Sequence, residues 1–242
     1  MSYQQVTLAQ LQALLAARYE SVPFWTTDES TTAINEALRL WNMLTGYWKR
    51  KAVVSTSAGN HWLNVDSTLL YQLRMTWEDY PMELSSLGDL DNARSGWEAD
   101  TVGGTRSDGE TLPNRPFVFA PAGLNLFAIW PADATTHQIT VDSIRETPVL
   151  SAPTDFVDIG QEELHAILGY ALHYLAFKEG GARFAATQDL YKQFISAAAL
   201  KNGKLNASTY FRNVMGLDLN RKQRPMEMPL EKDQPAGGPN AG

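Results

Sequence analysis

The chain has 242 residues, 44% of them hydrophobic and 10% aromatic, a formal charge of −7 and no cysteine. That composition builds a real core and excludes a disordered chain. The negative balance argues against a surface that wraps nucleic acid or an anionic membrane, and the missing thiols exclude disulfides and cysteine-ligated zinc or iron–sulfur sites.

No stretch approaches the ~20 apolar residues that span a bilayer. The start, MSYQQVTLAQ, lacks the basic and apolar regions of a signal peptide. The expectation is a protein made in a reducing cytoplasm and used there or in a particle assembled there.

The first helical pattern covers Thr7–Arg18. Thr7 and Gln10 have capping-box spacing, Val6 and Leu11 suit a hydrophobic staple, and Leu8, Leu11 and Leu15 share one face. A second helix is predicted over Asp28–Trp48, with Thr26 and Glu29 as its capping box and Ile34, Ala37, Leu38, Trp41, Leu44 and Trp48 at helical spacing. Lys49, Arg50 and Lys51 are expected to close that helix, where cations favour the dipole. This reading is weighed above a nucleic-acid contact.

A strand-rich stretch follows, from about Val53 to Leu150. Trp62–Val65, Leu70–Trp77 and His137–Ile144 read as strands. Phe117–Phe119 and Leu124–Trp130 read as a hairpin around Ala120–Gly123, ended by Pro131. The polar run Glu98–Pro116 reads as a long exposed loop.

Two more helices are predicted, Gln161–Glu179 and Thr187–Lys204. Asp158 and Gln161 offer a capping box for the first of them, whose stripe runs through Leu164, Ile167, Leu168, Ala171, Leu172 and Leu175 to a break at Gly180-Gly181. The second carries Leu190, Phe194, Ile195 and Ala198. A short helix is expected at Asn206–Met215, and beyond it an arm with four prolines and no periodicity. The helices at the two ends must bury their faces on each other. The fold class is therefore α+β: an antiparallel bundle of four main helices (1–51 and 155–216), an inserted β-rich subdomain (52–154) and an extended C-terminal arm (217–242).

Catalytic and metal motifs are missing. Glu162-x-x-His165 is half of a carboxylate-bridged di-iron pattern, and no second half is present. His165 lies off the leucine stripe, so a solvated or interfacial histidine is the simpler reading. There is no H-E-x-x-H, Walker loop, G-x-S-x-G or G-x-G-x-x-G. Catalytic, metal and cofactor residues are accordingly expected to be none. Trp62, Tyr71, Trp77, Tyr80, Trp97 and Trp130 could form a ligand platform; core and inter-subunit packing is the competing account. In the arm, Arg221, Lys222 and Arg224 precede Met226, Met228 and Leu230, which an extended chain points to one side. Such a segment either stays a free end or orders on a partner.

The stretches AINEALRLWNMLTGYWKR (33–50), YPMELSSLGDLDNAR (80–94), RPFVFAPAGLNLFAIWPA (115–132) and DFVDIGQEELHAILGYALHYLAFKEGGARF (155–184), in this order of parts, resemble head-to-tail adaptor (connector) proteins of tailed bacteriophages. The resemblance implies a non-enzymatic virion protein of the neck, assembled in the host cytoplasm. It implies a homo-oligomeric ring, usually of twelve subunits, beneath the portal protein, with a tail or nozzle protein on the other face. Double-stranded DNA would pass through the lumen without specific binding, and no membrane is involved. The residues Arg221, Lys222, Arg224, Met226, Met228 and Leu230 become the portal-binding arm. Rival readings are another neck or tail-tube component, a small-molecule or glycan-binding module using the aromatic β segment, and, last, an enzyme built on Glu162 and His165.

Overall fold

The computed structural model describes residues 3–18 and 24–202. The fold is α+β. In chain order it runs β1 (Tyr3–Thr7), α1 (Leu8–Ala16), α2 (Thr27–Thr45), β2 (Lys49–Ser55), β3 (Trp62–Asn64), β4 (Leu69–Trp77), β5 (Tyr80–Pro81), β6 (Glu83–Leu84) and α3 (Leu87–Ala93). A 3₁₀ turn (Trp97–Ala99), β7 (Val118–Pro121), β8 (Leu126–Trp130), β9 (Gln138–Arg145), β10 (Phe156–Gly160), α4 (Gln161–Glu179), α5 (Gly181–Ala186) and α6 (Gln188–Lys201) follow. The expected helix at Asn206–Met215 and the arm lie outside the described residues.

Both early capping boxes are present. Thr7 Oγ1 accepts from Gln10 N at 3.3 Å while Thr7 N donates to Gln10 Oε1 at 2.9 Å. Thr26 Oγ1 and the Glu29 carboxylate exchange the same pair at 3.3 and 2.8 Å. Each satisfies amides that a helix start leaves bare.

One core cluster gathers the helices: Leu11 and Leu15 of α1, Ile34, Leu38 and Trp41 of α2, Ile167 and Leu168 of α4, Phe194 and Ile195 of α6. Leu172 is half-buried against it. Elements from the two ends of the chain therefore share one apolar interior, as the stripes require. Antiparallel β1 and β10 add Val6, Val157 and Ile159 to the same cluster, with Tyr3 opposite Gly160 and Thr7 opposite Phe156.

The intervening strands form two four-stranded sheets, ordered β2-β9-β4-β5 and β3-β8-β7-β6. Met75, Ile139 and Val141 of the first meet Leu63, Phe119, Phe127 and Ile129 of the second in a shared core. Alternation sends the other side chains of β7 and β8 outward, and there Val118, Ala120, Ala128 and Trp130 are buried too, under Leu90, Trp97 and Leu112. Strands covered on both faces read as unbroken apolar runs, as FVFA and LFAIW do. The hairpin turn falls at 122–125, two residues later than expected, because pairing continues to Pro121 opposite Phe127.

Three local expectations are corrected. First, Lys49, Arg50 and Lys51 do not close a helix; they open β2, the edge strand beside β9. The helix stops at Gly46, whose left-handed backbone (φ 60°, ψ 40°) caps α2. Lysines on an edge strand discourage pairing with another chain. Second, Asp158 caps nothing. It lies in β10 opposite Gln5, and the residue before α4 is Gly160, which makes no side-chain cap. Third, the run 98–116 is a largely exposed loop as expected, but it is folded as a flap over Trp130 and buries Asp100 and Leu112.

The flap is held by a buried hub. Asp100 Oδ2 accepts from Trp130 Nε1 at 2.8 Å and from Arg106 Nη1 at 2.9 Å. Arg106 also donates to Ser95 O, and Arg94 lies over the Trp130 ring while gripping Glu110. Asp100→Asn should cost about 1.5–3 kcal/mol, the worth of hydrogen bonds to a charged group. Limited trypsin digestion should then cut after Arg106 faster than in the parent protein.

Gly46 gives a second test. A Cβ there would sit 2.7 Å from Ile144 Cδ1 in a backbone conformation that L-residues disfavour. Gly46→Ala should cost about 1–2 kcal/mol for the left-handed backbone alone, with the Ile144 collision added. Gly59→Ala, also at positive φ but in open space, isolates the backbone part when the two denaturation midpoints are compared.

Candidate functional site

The predicted portal-binding residues, Arg221 to Leu230, lie outside the described residues. The surface features of the described part therefore decide what it can engage.

One feature is a groove of about 650 Å³ between α2, β4 and the chain leaving β9. Its wall is fixed by two asparagines seven positions apart on α2. Asn35 Nδ2 donates to Leu150 O and its Oδ1 accepts from Leu150 N, both at 2.9 Å. Asn42 Nδ2 donates to Arg145 O at 2.9 Å and Thr147 Oγ1 at 3.1 Å, while its Oδ1 accepts from Trp48 N at 3.1 Å. Each amide acts as a short strand partner for the 145–150 segment. The bounding loop is pinned further along, where Asp155 accepts from Ser151 N and Ala152 N at 2.7 Å; those backbone bonds, the Ser151 N–H first, hold its carboxyl below the usual carboxylate range.

Into this pinned frame project apolar side chains that water still reaches: Met43 is 67% exposed, Val149 73%, Tyr71 53% and Leu70 48%. Leu70 faces the groove because β4 bulges between Leu69 and Tyr71. Bulges re-aim side chains in this way and recur beside functional sites. A contiguous apolar surface of this kind marks a binding site. Glu36 and Glu146 line it as carboxylates, with Arg39 already paired to Glu36 at 3.1 Å. Sequence reasoning missed this site. Its one signal was Met43, an apolar residue off the α2 stripe.

A second exposed patch lies on α4, where Tyr174 and Phe177 project near Phe184, the latter pair edge-to-face at 5.4 Å. His173 is buried beside it, stacked against Phe184 and Tyr191, and burial lowers its pKa. Thr187 gives its proton to Phe184 O, so the His173 Nδ1–H donates to Thr187 Oγ1 at 2.9 Å, tying α4 to the start of α6.

The six aromatic residues singled out in the β segment do not come together. Trp97 and Trp130 are buried under the flap with Trp62 beside them. Trp77 donates to buried Asp133 at 2.8 Å near Tyr80, and Tyr71 belongs to the groove. Asp133 also accepts from Thr56 at 3.0 Å and meets His137 Nδ1 at 2.8 Å, which laces the ends of β2, β4 and β9 together. Glu162 and His165 are exposed, and Arg18 donates to His165 Nδ1 at 3.0 Å, which occupies one of its two ring nitrogens. Among the described residues no group of three or more His, Asp or Glu is arranged to hold a metal, and no helix is long and apolar enough to cross a membrane.

Of the basic triplet, Arg50 is engaged with Asp66 and Thr68, leaving Lys49 and Lys51 exposed on the sheet edge. The groove and the α4 patch are apolar, and the lysine edge is basic. The family model described as SU10 adaptor protein matches residues 6–215. No curated protein matches the chain.

Proposed function

The chain belongs to the SU10 adaptor protein family, a family of phage head–tail adaptors, and from that premise we propose that it forms a ring beneath the portal, joins capsid to tail and lines the channel through which DNA leaves. The observation that carries this reading is the family match over residues 6–215. In it, residues 1–51 and 155–216 are the bundle that builds the ring, 52–154 the inserted β subdomain, and 217–242 the arm.

Physical features support the parts. A closed ring needs two different faces on every subunit, and exposed apolar groups lie both on α4, at Phe177, and beside α2, at Met43 and Val149. A channel wall that lets DNA slide must not hold phosphates, because each neutralised phosphate adds affinity; a chain of charge −7 suits that. Arg221, Lys222 and Arg224 would pair with acidic groups on the portal while Met226, Met228 and Leu230 fill pockets, the cations setting approach rate and specificity more than affinity. The role needs no cofactor and no catalysis. Twelve subunits per ring, the number usual in such adaptors, is part of the proposal.

Mixing the purified protein with portal rings and measuring the mass of the product tests it. The expected result is a stoichiometric complex with a fixed number of subunits per portal. A protein that ignores portal rings but binds tails would move the assignment to another neck or tail-tube component.

A further inference from the structure

The groove beside α2 has a pinned wall, hydrogen-bonded in place through Asn35 and Asn42, and a bulge turns Leu70 toward it. Its volume, about 650 Å³, falls in the range of roughly 300–1,000 Å³ typical of ligand sites. That is room for a few side chains of an extended segment and too little for a globular face.

We propose that the groove seats residues 221–230 of the same chain while the subunit is free. The first ground is where the described chain ends. Asn202 Nδ2 donates to Leu44 O at 2.6 Å, so the C-terminal end of α6 is fastened to the last turn of α2, the helix that also carries Met43 of the groove. From there residue 226 is twenty-four positions away. Each residue can span up to about 3.3–3.6 Å, so reach does not limit docking, and loop-closure entropy rises only slowly with length.

The second ground is chemical fit. The segment RKQRPMEMPL carries three cations against one carboxylate, Glu227, in a chain whose total is −7. At the groove Glu36 is already paired with Arg39, and Glu146 offers the opposite sign. Met226, Met228 and Leu230 alternate, so an extended segment presents all three to one surface. Methionine fills irregular apolar gaps well, and Pro225 and Pro229 restrict the chain before it binds, which lowers the ordering cost. Tethering supplies an effective concentration in the millimolar range, enough for contacts too weak to hold a separate peptide.

The proposal rests on the adaptor reading only in identifying that segment as the portal-gripping arm: the portal would take the arm from its seat. The chain has no cysteine, so introduced thiols report cleanly. Full-length Met43→Cys/Met228→Cys, free in solution, is treated with a short bismaleimide beside Leu124→Cys/Met228→Cys. Leu124 is 83% exposed at the tip of the β7–β8 hairpin, on the other sheet. The expected result is a link within one chain forming at least about tenfold faster in the first pair, as a seated arm raises local concentration. Equal rates in the two pairs overturn the proposal, and so does a product that joins two chains. Portal rings are then added. A fast link that portal does not slow keeps the seat and removes the portal reading; no link in a chain that portal still captures removes the seat and keeps the adaptor.

Discussion

Leu168→Ala is expected to destabilise the protein by about 2–5 kcal/mol, the range for deleting a buried leucine side chain and leaving a partly collapsed cavity. Leu168 is buried in the cluster that also holds Leu38 and Trp41 of α2 and Phe194 of α6. Its loss should lower the denaturation midpoint with an unchanged slope. Two companions calibrate the result: Leu172→Ala, half-buried at the rim, should cost less, and Met43→Ala, an exposed position, should stay within about 0.5 kcal/mol. A cost for Leu168→Ala as small as for Met43→Ala would mean that α2 and α4 do not share a core. The consequence reaches the surface, because α2 carries the asparagines that hold the 145–150 segment.

The helices were legible where local chemistry sets them. The predicted span Gln161–Glu179 coincides with α4, since a broad stripe ends at Gly180, and the two capping boxes before α1 and α2 are written in four residues each. What failed was long-range. Asp158 looked like a cap because nothing nearby reveals that its strand pairs with Gln5, more than 150 positions away. Lys49–Lys51 misled because cations serve a helix end and an edge strand equally; Gly46 was the better signal. In the flap, composition does not tell a solvated aspartate from Asp100, which is buried under Arg106 and Trp130. Apart from Met43, the groove was invisible for the same reason. Asn35 and Asn42 are ordinary polar positions until the segment they hold is known, and a bulge at Leu70 has no sequence signature.

Deleting residues 217–242 should leave the thermal unfolding of the described fold nearly unchanged and abolish attachment to portal-bearing heads. The fold is expected to survive because residues 3–202 already assemble a helical cluster and both sheet cores among themselves. Attachment should fail because the arm holds the chain's only proline-spaced pairing of three cations with Met226, Met228 and Leu230. Ordering such a segment costs about 2–5 kcal/mol of its gross contact energy, so one arm binds weakly. A ring of arms binds jointly, and avidity can exceed single-site affinity by about 10²–10⁴. Attachment should therefore respond steeply to the fraction of intact arms: rings assembled from mixtures of full-length and truncated chains should lose affinity far faster than in proportion. The salt dependence should separate the two kinds of contact. Replacing Arg221, Lys222 and Arg224 should slow association and flatten its dependence on ionic strength. Replacing Met226, Met228 and Leu230 by serine should instead speed dissociation. If truncated chains docked on portal with unchanged affinity, the arm would not be the portal contact, and the interface would have to lie on the folded body, where the aromatic face of α4 at Tyr174 and Phe177 is the next surface to test.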